Sequence, residues 1–282
     1  MKKKGEAAYL RGIGYIVRYI VILISILLAL FPLYFVIVTA FKSKGDFIAN
    51  KVGFPQTWVL ANFYEVILTN PLLRWIINSL TLTIPSVLIT LLVASLAAYA
   101  ISKMYFKARD LAYNSIIPLM VIPPVVLLIP LLRAAISLKI VNTFLAPIVI
   151  YSGLLLPFSI YMLTNYFATV SNEIIDSAKI DGLSDIRILF NIIIPLSKPA
   201  ILILVVINSL YVWNELLIAL IFLQTNKTRP LMVGIVSLKD RYSMNTTVLM
   251  AGLLISAIPI IVLFIISQKH FVKGLSAGAV KG

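Results

Sequence analysis

The sequence predicts an all-α integral membrane protein: six transmembrane helices, with a cytoplasmic helix–glycine–helix hairpin between the fourth and fifth. Three observations point to that class. The composition is 61% hydrophobic with a mean hydropathy of +1.05, whereas about half of the residues are apolar in a typical soluble domain. Six apolar segments each approach the ~20 residues that a helix needs to cross the hydrocarbon core. The charged residues gather at the edges of those segments and in the stretches between them.

Residues 1–18, MKKKGEAAYLRGIGYIVR, form a basic N-terminal segment expected on the cytoplasmic side. The run Tyr19–Phe41 follows, 23 residues without a charge. A signal peptide has an apolar core of only about 7–15 residues, so this run is read as a retained first span. The other spans are expected near Trp75–Ile101, Leu111–Leu132, Val141–Phe167, Pro199–Phe222 and Val248–Ser267. Each should be helical, because a backbone in lipid must satisfy its own hydrogen bonds. Pro85, Pro118, the run IPPVVLLIP (residues 122–130), Pro147, Pro157 and Pro259 fall within them and predict kinks. Residues 19–272 are thus read as one permease domain containing the hairpin at 171–195, and residues 273–282 as a cytoplasmic tail.

Lysine and arginine set the orientation, since they accumulate in cytoplasmic loops. With both termini inside, the inner segments hold 14 of the 24 basic residues, and the first helix and the dense SKMYFKARD turn (102–110) weigh most. Loops 42–74 and 223–247 then lie outside. The net charge of +14 could suggest nucleic acid, but these charges flank apolar runs, where they meet anionic lipid headgroups. The expected location is the cell membrane, with lipid as a partner and no nucleic acid. There are no cysteines, so disulfides and thiolate metal sites are excluded.

The segment SNEIIDSAKIDGLSDIRILFNIIIPLSKP (171–199) carries seven charged residues between two apolar spans. Ser171 is a good N-cap with Glu173 behind it in the first turn. Ile174, Ile175 and Ala178 make one apolar face, opposite Glu173, Asp176 and Lys179. Gly182 stands where a helix C-terminus favours a left-handed residue. Ser184 and Asp185 start a second helix, in which Ile186, Leu189, Phe190, Ile193 and Ile194 share a face before Pro195 and Pro199. A helix this short needs a surface to cover its apolar side. That surface could be the membrane interface, the protein's own helices or a partner.

These residues resemble the cytoplasmic signature of permease subunits of ATP-binding-cassette importers: E-A-A, three residues, G, nine residues, I-x-L-P. Here Asp176-Ser177-Ala178 is followed by three residues, Gly182, nine residues and Ile192-Ile193-Ile194-Pro195. Asp replaces Glu, Ser replaces Ala and Ile replaces Leu. The stretches IDG (180–182), PLSKPA (195–200), WNELLIAL (213–220) and FVKGLSAGAVKG (271–282) are similar to the carbohydrate branch, most of all to the second permease of maltose-type importers. The resemblance implies sugar import by alternating access. It also implies a second homologous permease, two ATPase subunits and an external sugar-binding protein as partners. By the same resemblance Ile174, Ile175, Asp176, Ser177, Ala178, Asp181, Gly182 and Pro195 couple the chain to an ATPase subunit. The tail residues Gly274, Ser276, Lys281 and Gly282 are expected to contact the ATPases, and the loop 223–247 to reach the binding protein.

No Gly-Lys dipeptide occurs, so there is no P-loop lysine. No cofactor is expected in this chain, and ATP with magnesium belongs to the partner subunits. No metal-binding or catalytic set is expected either. GLSAG (274–278) matches a hydrolase elbow in form only, since four residues follow it. Trp213, Asn214 and Glu215 are candidate intramembrane polar residues. Glu215 is the only acid in a predicted span, and it is read as part of a polar network between helices, with a proton or sugar site as the alternative. A stand-alone secondary transporter is the rival reading. It would call for ionisable groups at mid-membrane and repeated halves.

Overall fold

The structure, a computed structural model, describes residues 2–241 and 245–279, and these contain helices and loops but no strand. Helix α1 (Lys2–Ala40) is followed by the short α2 (Lys44–Ala49) and α3 (Ala61–Thr69), then by the long α4 (Leu72–Lys103). Next come α5 (Arg109–Leu119), α6 (Pro124–Ser137) and α7 (Leu145–Ala168). The charged segment forms α8 (Asn172–Ile180), α9 (Asp185–Ile188), a π-helical turn at Leu189–Ile193 and α10 (Ile194–Leu196). The chain then runs through α11 (Lys198–Asn214), α12 (Leu217–Phe222), α13 (Leu231–Arg241) and α14 (Thr246–Ala279). Among the described residues four helical stretches are long and apolar enough to cross a membrane: Val17–Ala40, Leu72–Lys103, Leu145–Ala168 and Thr246–Gln268. The number rises to six if each of two bent pairs counts as one crossing.

By contacts the chain forms two compact units, Met1–Asn70 with Ile235–Ile255, and Pro71–Gly234 with Ser256–Gly282. In the first, Asn62 is the polar anchor. Its Nδ2 donates to the carbonyls of Ala40 (2.7 Å) and Lys42 (2.8 Å), and its Oδ1 accepts from the Thr247 hydroxyl (3.0 Å). The side chains of α1 between Tyr19 and Pro32 are exposed, as suits a helix face covered by lipid or by another subunit.

The second unit has two polar ends. At one, Lys103 of α4 donates to Val170 O (2.6 Å) and Asn172 Oδ1 (2.9 Å), and Arg109 Nε donates to Ile101 O. At the other, Asn78 Nδ2 donates to the carbonyls of Lys227 and Arg229, Leu231 N donates to Ser79 Oγ (2.9 Å), and Asn142 N donates to Phe222 O (2.9 Å). Residues 78 and 103 sit on one continuous helix, about 37 Å apart at 1.5 Å per residue. Between the ends, α4, α7 and α11 bury Ala94, Ala98, Leu163, Phe167, Ala200 and Leu204 in one apolar cluster.

The third and fifth predicted spans differ from expectation. Leu111–Leu132 is not one helix: α5 and α6 meet at 100°. Pro123 and Pro124 explain the break, since neither has an N–H and the residue before a proline is driven out of the helical region. Pro199–Phe222 is also interrupted, at Glu215–Leu216 between α11 and α12. The loop expected at 223–247 contains α13, whose Leu231, Val233, Ile235 and Leu238 are buried. No backbone break marks residue 272, because α14 continues to Ala279.

Candidate functional site: the hairpin 171–196 and the break at Glu215

The hairpin forms as its sequence directs. Ser171 Oγ accepts from Glu173 N (3.2 Å) and opens α8. The helix closes at Gly182, the one glycine with positive φ among the described residues (+81°). Leu183 N reaches back to Ala178 O and Gly182 N to Lys179 O, both at 3.0 Å. This 6→1 and 5→2 pair is a Schellman motif. A Cβ at Gly182 would meet nothing within 4 Å, so the demand for glycine is torsional rather than steric.

The expected docking face does not survive intact. Ile175 and Ala178 are buried in the chain's own cluster with Tyr99, Phe167, Ile188 and Leu189. The physical reason is proximity: the ends of α4 and α7 offer an apolar surface that covers these two side chains. Ile174 and Ile180 point outward instead, at 43% and 86% exposure. Asp176, Ser177, Asp181 and Gly182 are exposed as well. In the second helix the buried residues are Ile188, Leu189 and Ile193, while Ile186 and Phe190 are exposed. The π turn shifts the periodicity, with Ile194 N bonded to Leu189 O. It lies where Pro195 has no N–H to offer and would press on the carbonyl four residues earlier. Pro195 is exposed, and the chain bends by 81° between Asp185–Leu196 and Lys198–Asn214.

Two residues at this site are not legible as hairpin partners in the sequence: Tyr99, and Lys103 of the basic 102–110 turn. The Tyr99 hydroxyl donates to Asp185 Oδ1 (2.9 Å), and the same oxygen lies 3.3 Å from Lys179 Nζ. Their spacing of four places both on one side of α4, but only the fold shows which segment that side meets.

Trp213, Asn214 and Glu215 do not converge on a single centre. Trp213 is buried and its Nε1 donates to Ser256 O (3.0 Å), whereas Asn214 is exposed and bonds back to Leu210 O (2.9 Å). Glu215 holds the break in the fifth segment. Its carboxyl oxygens accept from the amides of Leu217, Ile218 and Ala219 at 2.8–3.3 Å, and Oε2 accepts from the buried Tyr151 hydroxyl at 2.8 Å. It thus caps α12, the work that free amides at a helix start require. Gly274 and Ser276 fall within α14, while Lys281 and Gly282 lie outside the described residues.

Membrane-length helices with a small glycine-elbowed helix packed onto one end define a multi-pass helical membrane protein. The chain belongs to the family of binding-protein-dependent transport system inner membrane components, whose model matches residues 90–277. It is 32% identical to the melibiose/raffinose/stachyose import permease protein MelC of Bacillus subtilis (strain 168) over 252 residues, 89% of this chain and 91% of that protein. It is 31% identical over 259 residues to the arabinooligosaccharides transport system permease protein AraQ of Halalkalibacterium halodurans, covering 90% of this chain and 92% of the relative. In fold it matches a chain in the crystal structure of a bacterial ABC transporter involved in the import of the acidic polysaccharide alginate. The TM-score is 0.79 at 24% identity, over 92% of this chain and 96% of that one. As a member of this family the chain is a non-catalytic permease subunit of an ABC transporter, and ATP hydrolysis resides in partner subunits.

Proposed function

We propose that the chain is one of two homologous permeases of an ATP-driven carbohydrate importer, supplied by an external sugar-binding protein and powered by two ATPase subunits. The relatives named for melibiose, raffinose and stachyose and for arabinooligosaccharides support a saccharide substrate. In this reading α8 and its elbow lie on the cytoplasmic side and dock an ATPase subunit. The observation that carries it is the division of α8. One face is locked into the bundle through Ile175 and Ala178, and the other presents Ile174, Ser177, Ile180 and Asp181 to a partner.

Six crossings with both termini inside fit the polar ends of the second unit. Residues 109 and 172 belong to the Lys103 end, and residues 142 and 222 to the Asn78 end. The chain therefore travels the length of α4 between 109 and 142, and again between 172 and 222, despite the breaks. Tyr105→Cys in this cysteine-free chain should be labelled by an impermeant thiol reagent only in inside-out vesicles. Labelling in intact cells would invert the topology.

The docking role is tested with Ile174→Glu, which places a charge on the outward face without touching the buried one. The ATPase subunits should no longer be recovered with the tagged permease. Uptake of radiolabelled raffinose, an arabinooligosaccharide and an alpha-glucoside by the reconstituted complex should fall at least tenfold for whichever is carried. Retention of the ATPase with unchanged uptake would overturn the docking role, and no uptake of any saccharide by the wild type would overturn the substrate class. Deleting residues 274–282 should leave insertion intact and lower uptake or alter the ATPase rate.

A further inference from the structure

We infer that Asp185 is a positioning residue that ties the hairpin to α4 beyond the elbow, adding a polar tie to the packing of Ile175 and Ala178; the inference rests on the coupling role proposed above. Along the chain, α8 reaches α11 only through the π turn and the 81° bend that follows Leu196. That path is a jointed one, because a π turn interrupts the regular i→i−4 bonding that makes a helix stiff. Asp185 bypasses the joint.

Its position makes this possible. Asp185 opens α9, three residues after the Gly182 elbow. One of its oxygens, Oδ1, accepts from the Tyr99 hydroxyl of α4 at 2.9 Å and lies 3.3 Å from Lys179 Nζ in the last turn of α8. Three elements therefore meet at a single atom. The Tyr99 ring is 4% exposed and packs in the cluster that holds Ile175, Ala178, Ile188 and Leu189. Packing fixes the ring, and the ring aims the hydroxyl. One turn further along α4, Lys103 bonds Val170 O and Asn172 Oδ1 where α8 begins. The end of α4 thus holds the first residue of α8 through Lys103 and, across the elbow, the first residue of α9 through Tyr99 and Asp185.

The two contacts of Asp185 differ in weight. The Lys179 and Asp185 side chains are 47% and 40% exposed, so water and salt screen their attraction. The Tyr99 contact has a donor oriented by a buried ring, and it needs only an acceptor oxygen on residue 185. Asparagine supplies that oxygen and alanine does not. The hairpin and the adjoining end of α4 then move as one body when the ATPase subunits close.

The test uses the assembled transporter in lipid nanodiscs, with nitroxides at Leu92→Cys on the exposed face of α4 and Arg187→Cys on the exposed face of α9. Distances are measured by pulsed electron resonance without nucleotide and after trapping with ATP and vanadate. In the otherwise wild-type chain the distance should be the same in both states and narrowly distributed. Tyr99→Phe keeps the ring in the core and removes the hydroxyl, and it should at least double the width in the trapped state. Asp185→Ala should do the same, Asp185→Asn should restore the narrow distribution, and Lys179→Met should leave it unchanged. A distance that shifts between states in the parent protein overturns the inference, as does a Tyr99→Phe distribution as narrow as the parent's. Recovery of the ATPase with Ile174→Glu would remove the docking role alone, and the label distances would still report whether Asp185 joins α9 to α4.

Discussion

Gly182 and Glu215 both end a helix and start another within a few residues, and they do so by opposite means. At Gly182 the backbone does everything. A positive φ of +81° and two main-chain bonds close α8, no side chain takes part, and the space around the Cα is empty. At Glu215 a side chain does everything. The backbone leaves the helical region at φ −70° and ψ 127°, and one carboxyl group gathers three amides and a tyrosine from another helix. The first turn is exposed at the surface and closes on its own main-chain bonds. The second lies in an apolar segment where a free N–H has nowhere else to go. An exposed turn can be made by torsion alone, whereas a turn among apolar helices must bring its own acceptor.

The largest effect is expected at Glu215. Glu215→Leu removes a cap and leaves the buried Tyr151 hydroxyl without its acceptor, for a loss of about 2–4 kcal/mol. The purified complex should melt at clearly lower temperature in detergent, and a melting temperature equal to the parent's would show that the carboxyl group does not hold the break. Gly182→Val comes next, at about 1–2 kcal/mol from the left-handed torsion alone. Because nothing crowds the site, the damage should be local. Hydrogen exchange at the Leu183 amide should accelerate at least fivefold while the melting of the bundle stays near the parent's. Equal losses at the hairpin and in the bundle would mean that the two turns are not independent. Tyr151→Phe deletes one donor to Glu215 and should cost about 1 kcal/mol. Combined with Glu215→Leu it should add almost nothing, since both changes remove the same bond. Gly182→Asn is expected to be the mildest. Asparagine visits the left-handed region readily, so the effect should stay within a few tenths of a kcal/mol.

How far each of these features could be read in advance depends on the range of the interaction that makes it. Ser171 and Gly182 signal a cap and an elbow through bonds spanning two to five residues, and α8 starts and ends where they say, whereas Ser184 opens α9 without a side-chain cap bond. Pro123 and Pro124 signal a disturbance for the same local reason, though the 100° angle is set by what α5 and α6 pack against. The apolar face of α8 is covered in part by the protein's own helices, one of three surfaces the sequence leaves open, because periodicity finds a face without finding its partner. Ile174, Ile175 and Ala178 look equivalent along the chain, and only the ends of α4 and α7 separate the first from the other two. The register of α9 slipped because a π turn adds a residue that a 3.6-residue pattern does not contain.

The sequence by itself did not show that the third and fifth apolar segments are broken, but it determined that the chain lives in a membrane, which segments are apolar enough to enter it, and where the hairpin bends. Those features follow from transfer free energy and local torsion, which each segment carries with it. The tertiary structure decided which face of α8 is buried and which is exposed, that Glu215 caps a broken helix, and that Tyr99 meets Asp185 across 86 residues of chain. These depend on distances between segments far apart in sequence, and no local pattern encodes which apolar or polar surface will arrive opposite another.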